Sequence, residues 1–308
     1  MDSCVNCGAP MNGPFCSNCG QKKFVESDRR LGHLTHQLLS SATDLDGRVW
    51  RTLLALLFRP GLLSREYFEG RRARWLSPVT IFFAASVLYF VAPLHGSDFT
   101  PTFNQQVNGH IRELALGPGE TPLTPQQAES PGQLHSDITS PWITARVQER
   151  DAKLRAATHG TSGYSYHDYR LAYEAKSDDV SKALIMLHLP FAAVVLTLLF
   201  YRQRRYFAEH VVFLMHFMAF CIIVLQLVVQ TDALYRLVAP ASWAIPDGVL
   251  DWIMRTLLVT YAVLSLRRAY AIGWIAAIGA AAVMLAGLVF VNIYIYRAIQ
   301  FAVTFALT

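Results

Sequence analysis

The run FAEHVVFLMHFMAFCIIVLQLVV, from Phe207 to Val229, decides the architecture. Its only formal charge is Glu209, close to its start. A helix rises 1.5 Å per residue, so about 20 apolar residues cross the hydrocarbon of a bilayer. Four more apolar segments flank this one, at roughly 76–94, 183–201, 249–266 and 271–296. The segment at 249–266 is the shortest and contains Arg255. Composition agrees with this pattern. The 308 residues are 53% hydrophobic and 16% charged, with a mean hydropathy of +0.29. Soluble domains carry about a quarter charged residues, so the deficit excludes a disordered tail protein and argues against an ordinary soluble enzyme. The fold expected is an all-α integral membrane bundle of about five transmembrane helices.

Charge sets the orientation. The net charge is +5, from 27 Lys and Arg against 22 Asp and Glu. Arg59, Arg65, Arg71, Arg72 and Arg74 crowd just before the first apolar segment, with Trp75 beside them. Arg202, Arg204 and Arg205 lie between the second and third segments, and Arg267 and Arg268 between the fourth and fifth. The connection between the third and fourth holds only Arg236, with Asp232 and Asp247. Short basic connections stay in the cytoplasm. The expected topology is therefore a multi-pass protein of the cytoplasmic membrane with its N-terminus inside. The 95–182 loop is then extracytoplasmic, and so is the C-terminus. That loop is rich in Pro, Gly, Ser and Thr in its first half, which favours irregular chain. Its second half has helical patches near 142–157 and 164–183. The parts expected are a head at 1–23, amphipathic or interfacial helices at 24–75, a first span at 76–94, the outer loop, and spans two to five within 183–308.

Ahead of the membrane part stand Cys4-Val5-Asn6-Cys7-Gly8 and Cys16-Ser17-Asn18-Cys19-Gly20. Each Cys-x-x-Cys-Gly knuckle offers two thiolates from one tight turn, with a Gly supplying the backbone conformation that turns N–H groups toward sulfur. Two facing knuckles make a tetrahedral four-thiolate cage, the pattern of a structural Zn2+ site formed by Cys4, Cys7, Cys16 and Cys19. Iron in the same cage and disulfides are the competing readings. A reducing cytosol argues against disulfides. Such a closed cage does not suit hydrolysis. A head this small has no core of its own, so metal would supply most of its folding free energy. Three roles are open to it: contact with a protein partner or with its own bundle, a structural staple, and nucleic-acid binding. The last is disfavoured, since Lys22, Lys23, Arg29 and Arg30 make a weak basic patch.

Residues 31–58 carry Leu31, Leu34, Leu38, Leu45, Val49, Leu53 and Leu56 on one broad helical face. Asp44, Asp46 and Arg48 interrupt it, so it suits the inner interface rather than a crossing. Arg59-Pro60-Gly61 ends it.

Polar residues at membrane depth are functional candidates by default. Counted from the outer ends, His188, Gln226, Asp251 and Arg255 could form one outer polar layer. Glu209, His210 and His216 lie in the inner half, spaced so that no two chelate one ion from their own helix. Structural roles suit both groups: a snorkelling Arg255 paired with Asp251, a His188 that satisfies a carbonyl freed by Pro190, and a Glu209 that pairs with the Arg202–Arg205 turn. Cys221 reads as a small apolar residue. Gly273, Ala277 and Ala281 would let another helix approach closely.

The two knuckles, then Arg59-Pro60-Gly61-x5-Tyr67-x2-Gly70-Arg71-Arg72-x5-Pro78, then Tyr206-Phe207-x-Glu209-His210-x2-Phe213-x2-His216-x3-Phe220 occur in this order. The chain thereby resembles a family of uncharacterised bacterial inner-membrane proteins with an N-terminal zinc ribbon, a domain of unknown function. The resemblance implies location, architecture and the four-Cys site. It implies no activity. No Gly-x-Ser-x-Gly, His-Glu-x-x-His or phosphate-loop signature occurs. The expectation is a non-enzymatic membrane protein whose cytosolic ribbon docks or regulates a protein partner, with the lipid bilayer as its other partner. The alternative is a small transporter or channel using the outer polar layer.

Overall fold

The computed structural model describes residues 3–23, 47–91, 103–120, 133–238 and 247–308. Among them the chain is helical, and the only β pairings are isolated bridges between Ser3 and Pro10 and between Phe15 and Lys22. The helices are α1 Arg48–Phe58, α2 Leu62–Phe68, α3 Pro78–Val91, α4 Gly109–Leu114, α5 Gln133–Ala157, α6 Tyr166–Leu184, α7 His188–Leu199, α8 Phe207–Val238, α9 Asp247–Tyr270, α10 Trp274–Phe290 and α11 Arg297–Leu307. A π-helical turn, Val291–Tyr296, joins α10 to α11, so the last apolar segment is one long helix. Among the described residues three helices are long and apolar enough to cross a membrane: Phe207–Val238, Gly248–Tyr270 and Trp274–Leu307. The other two apolar segments form the shorter α3 and α7.

Two compact units divide the chain. The first takes in Met1–His95 and Leu189–Gly287. In it α8 packs along α3, with Phe82, Val212, Phe213, Leu214 and Phe220 buried. The start of α3 follows from its sequence. Ser77 caps it, its Oγ accepting from the Thr80 N–H at 3.1 Å, and Pro78 takes the first helical position, where no N–H is needed. Outward faces stay apolar. Phe83, Val87 and Leu88 on α3, Leu198 on α7 and Ile275 and Val283 on α10 are all exposed. A water-soluble helix would carry polar residues there.

Helices α1 and α2 form a corner packed against α8 and α9. Thr52, Ala55 and Leu56 face inward, and Trp50, Leu54 and Phe58, spaced four apart, stay exposed. The part of the amphipathic stretch between 24 and 46, with Leu31, Leu34, Leu38, Leu45, Asp44 and Asp46, lies outside the described residues. Of the face expected within α1, Leu56 is buried and Val49 and Leu53 are half-buried, whereas Trp50, Leu54 and Phe58 form a second, outward apolar stripe. Arg59-Pro60-Gly61 is the corner itself: the Arg59 N–H closes α1 on the Ala55 carbonyl, the Pro60 carbonyl accepts from Arg268 Nη1 at 3.2 Å, and Gly61 takes φ +73°. A Cβ at Gly61 would stand 2.3 Å from the Ser265 carbonyl oxygen, so both the turn and the approach of α9 require glycine.

The second unit takes in Gly96–His188 and Leu288–Thr308. The first half of the 95–182 segment, expected to be irregular, contains a 3-10 turn at Phe103–Gln105 and helix α4. Phe103, Val107, Ile111 and Ala115 recur every fourth residue and are buried with Ile143, Val147, Tyr169, Tyr173 and Phe301. That spacing builds one apolar stripe, which overrides the Pro and Gly content around it. The helical patch expected near 142–157 begins earlier, running as α5 from Gln133, and that expected near 164–183 is α6. The C-terminal helix α11 lies against α6 and supplies Phe301 to the core.

Candidate metal centre

The two knuckles fold alike. The Gly8 N–H donates to the Cys4 carbonyl and the Gly20 N–H to the Cys16 carbonyl, each at 2.8 Å, with φ of +77° at Gly8 and +71° at Gly20. Both glycines face open space, so they are needed for their backbone conformation alone. The knuckles bring Cys4, Cys7, Cys16 and Cys19 together, their sulfurs all within 4.8 Å of one another. Cys4 Sγ lies 3.6 Å from Cys19 Sγ, and Cys7 Sγ 3.6 Å from Cys16 Sγ. A disulfide needs about 2.05 Å, so these are four free thiols. A tetrahedron of sulfurs about 2.3 Å from a central Zn2+ has edges of about 3.8 Å, and the observed spacing fits it. Every vertex would be a sulfur, which leaves no open position for water or substrate.

The asparagine of each knuckle completes the cage. Asn18 Nδ2 lies 3.7 Å from Cys7 Sγ, and the Asn6 side chain hydrogen-bonds Cys19. The Asn6 hydrogen bond, followed by the Gln21 N–H directed at the same sulfur, lowers the Cys19 thiol, while the Cys7 thiol that shares hydrogen bonds with it is pushed the other way. The repeat that carries this is Cys-x-Asn-Cys-Gly, one residue richer than the Cys-x-x-Cys-Gly read from the sequence.

The head is fastened to the rest of its unit at the arginine collar. Gln21, 5% exposed, accepts through Oε1 from the N–H of Arg72 at 3.1 Å and of Ala73 at 2.9 Å. The collar is itself fixed: the Arg72 guanidinium lies 3.7 Å over the Tyr67 ring, and Arg71 forms ion pairs with Glu66 and Glu69. The Arg65 hydrogen bond above all, with Arg71 beside it, holds the Glu69 carboxyl below the usual range.

The other polar candidates have local partners. Glu209 pairs with Arg205 at 3.5 Å. His210 Nδ1 meets the Tyr270 hydroxyl at 2.8 Å, and His216 Nδ1 meets Ser64 Oγ at 3.0 Å, so the two histidines point to different helices, as their spacing implies. Asp251 and Arg255 form an exposed i,i+4 ion pair at 2.8 Å. Gln226 Nε2 donates to the Leu88 carbonyl at 3.1 Å. His188 accepts at Nε2 from Asn292 at 3.2 Å and stacks on Tyr296. His188 is thus held by the π-helical turn, a partner not visible from its own segment. Ala277 and Ala281 are buried, and the close approach runs on to Gly287, where a Cβ would stand 3.0 Å from Val195; Gly273 meets nothing.

Compared with known proteins, no curated protein and no solved structure matches this chain. Residues 46–90 match the model of a family described as "Protein of unknown function (DUF3667)", and that stretch holds the α1–α2 corner, the collar to which the head is fastened, and most of α3.

Proposed function

We propose that this is a non-enzymatic protein of the bacterial cytoplasmic membrane, crossing it five times, whose cytosolic zinc ribbon docks a protein partner. Parity supports five crossings. Residues 96–188 and 288–308 share one unit, which suits a place on one side of the membrane with an even number of crossings between them. Helices α7, α8, α9 and α10 supply four, and α3 is the fifth. The exposed apolar residues on α3 and α7 suit lipid contact, and α7 continues α6 through a 3-10 turn, so its short length does not bar a crossing. The collar, the Gln203 turn and Arg268 meet at one level: Gln203 Nε2 donates to the Tyr270 carbonyl and Arg268 to Pro60. Those connections are the basic ones, which favours the cytosolic side for them and for the head. Near anionic headgroups each arginine contributes roughly 1 kcal/mol.

The observation that carries the docking role is the head's surface. A cage with four sulfur ligands is structural chemistry, yet Val5 and Phe15 stand exposed on it at 52% and 61%. Exposed aromatic and aliphatic side chains on a rigid frame are the usual anchors of a protein contact. The local pairing of Glu209, His210, His216, Asp251 and Arg255 favours structural over catalytic or transport roles for them. Cross-linking capture in intact cells tests the reading with three forms of the chain: unaltered, Phe15→Glu, and Cys4→Ser/Cys16→Ser. One partner should be captured by the first and lost by both others. An unchanged capture profile across the three would overturn the docking role.

A further inference from the structure

Gln21 joins two functions in one residue. Its backbone belongs to the second knuckle: the Cys16 N–H donates to the Gln21 carbonyl at 2.8 Å, and the Gln21 N–H points at Cys19 sulfur. Its side chain belongs to the contact with the collar, 51 residues further along the chain. Among residues 3–23 only Cys4, Cys16 and Gln21 are buried. The head's interior is therefore two of its sulfurs and the residue that grips the collar. Nothing apolar would keep the second knuckle in shape without an ion between the sulfurs, because four thiols alone offer only weak hydrogen bonds. The placement of the Gln21 side chain thus depends on the cage.

We propose that Gln21 is a metal-gated latch: with the four-Cys cage filled it holds the head against the backbone of Arg72 and Ala73, and with the cage empty it lets go. The collar end of the latch is rigid, since Arg72 stacks on Tyr67 and Arg71 is paired to Glu66 and Glu69. The moving part is therefore the head. Release would uncover two backbone N–H groups just ahead of α3 and free the head from the membrane-facing unit. The occupancy of a cytosolic thiolate site would so be converted into a change at the mouth of the bundle. This device does not depend on the head having a partner.

The test uses the full chain in detergent micelles, loaded with Zn2+ and then treated with a chelator, with amide exchange read at Arg72 and Ala73. Loss of the shared acceptor should speed exchange at both amides by about tenfold on chelation. Gln21→Ala should give the same acceleration with metal still bound, because both backbone hydrogen bonds to the knuckle survive the substitution. Gln21→Glu keeps an acceptor oxygen and should keep the protection. Equal exchange with and without metal would overturn the proposal, as would full protection in Gln21→Ala. Loss of the zinc equivalent from Gln21→Ala would also overturn it, for Gln21 would then serve the cage and not the latch.

Discussion

Replacing Gly61 by Ala tests whether the Arg-Pro-Gly corner is set by a close approach or only by a turn. Two costs add. The residue sits at φ +73°, where a Cβ costs about 1–2 kcal/mol. The new methyl would also stand 2.3 Å from the Ser265 carbonyl oxygen and 2.8 Å from its Cα. Both are backbone atoms of α9, which cannot swing aside as a side chain can. Relieving such overlap costs typically about 1–3 kcal/mol. Together the expected penalty is about 3 kcal/mol, which is about 150-fold in the equilibrium for local opening. Exchange at the Leu62 and Arg65 amides, which close the corner on Arg59 and Gly61, should rise by that factor in micelles. Gly160→Ala is the control. Its φ is +81° and a Cβ there meets nothing within 4 Å, so only the conformational cost applies, about tenfold at the Gly160 amide. If Gly61→Ala opens the corner no more than Gly160→Ala opens its turn, the packing of α9 against the corner is not as described.

Purified protein should contain about one equivalent of Zn2+, lost in Cys4→Ser/Cys16→Ser; stoichiometric iron with a red colour, or no metal, would defeat the zinc assignment. Ser64→Ala leaves His216 Nδ1 buried without its hydroxyl and should destabilise the first unit by about 1–3 kcal/mol, and adding His216→Leu should cost less than the sum of the two single changes, as read by unfolding in mixed micelles. In the second unit, Arg170 above all, then the Gly117 N–H, depresses the Glu120 carboxyl to about 2. A carboxyl lowered on folding stabilises above its unfolded pKa, so near-ultraviolet dichroism of this unit should hold steady from neutral pH to about 5 and weaken between about 4.5 and 2, whereas Glu120→Gln should lack that acid step. For topology, Lys153 and Arg202 are exposed and suit cysteine labelling: Lys153→Cys should react from outside, Arg202→Cys only after permeabilisation, and equal access would reject the orientation.

Local chemistry was legible where one stretch of chain contains all of its own determinants. The four cysteines come together from two turns 12 residues apart, so their spacing alone foretells the cluster, and the apolar runs locate the long helices because apolar length and composition are read directly from the chain. Proline and glycine at Arg59-Pro60-Gly61 likewise mark where α1 must stop. Partners distant in sequence were not legible. Nothing near Gln21 announces that its side chain will meet Arg72 and Ala73, and nothing near Ser64 announces His216, because a single buried hydrogen bond has no periodic signature. The second unit shows the same boundary within one segment. Phe103, Val107, Ile111 and Ala115 carry a readable four-residue spacing, but proline and glycine around them outweighed it in a local reading. Only the tertiary structure supplies what makes that stripe worth burying: Tyr169 and Tyr173 on α6, Ile143 and Val147 on α5, and Phe301 from the far end of the chain. A helix as short as α4 is unstable alone and persists through such packing, so its existence was decided by residues the local sequence does not contain.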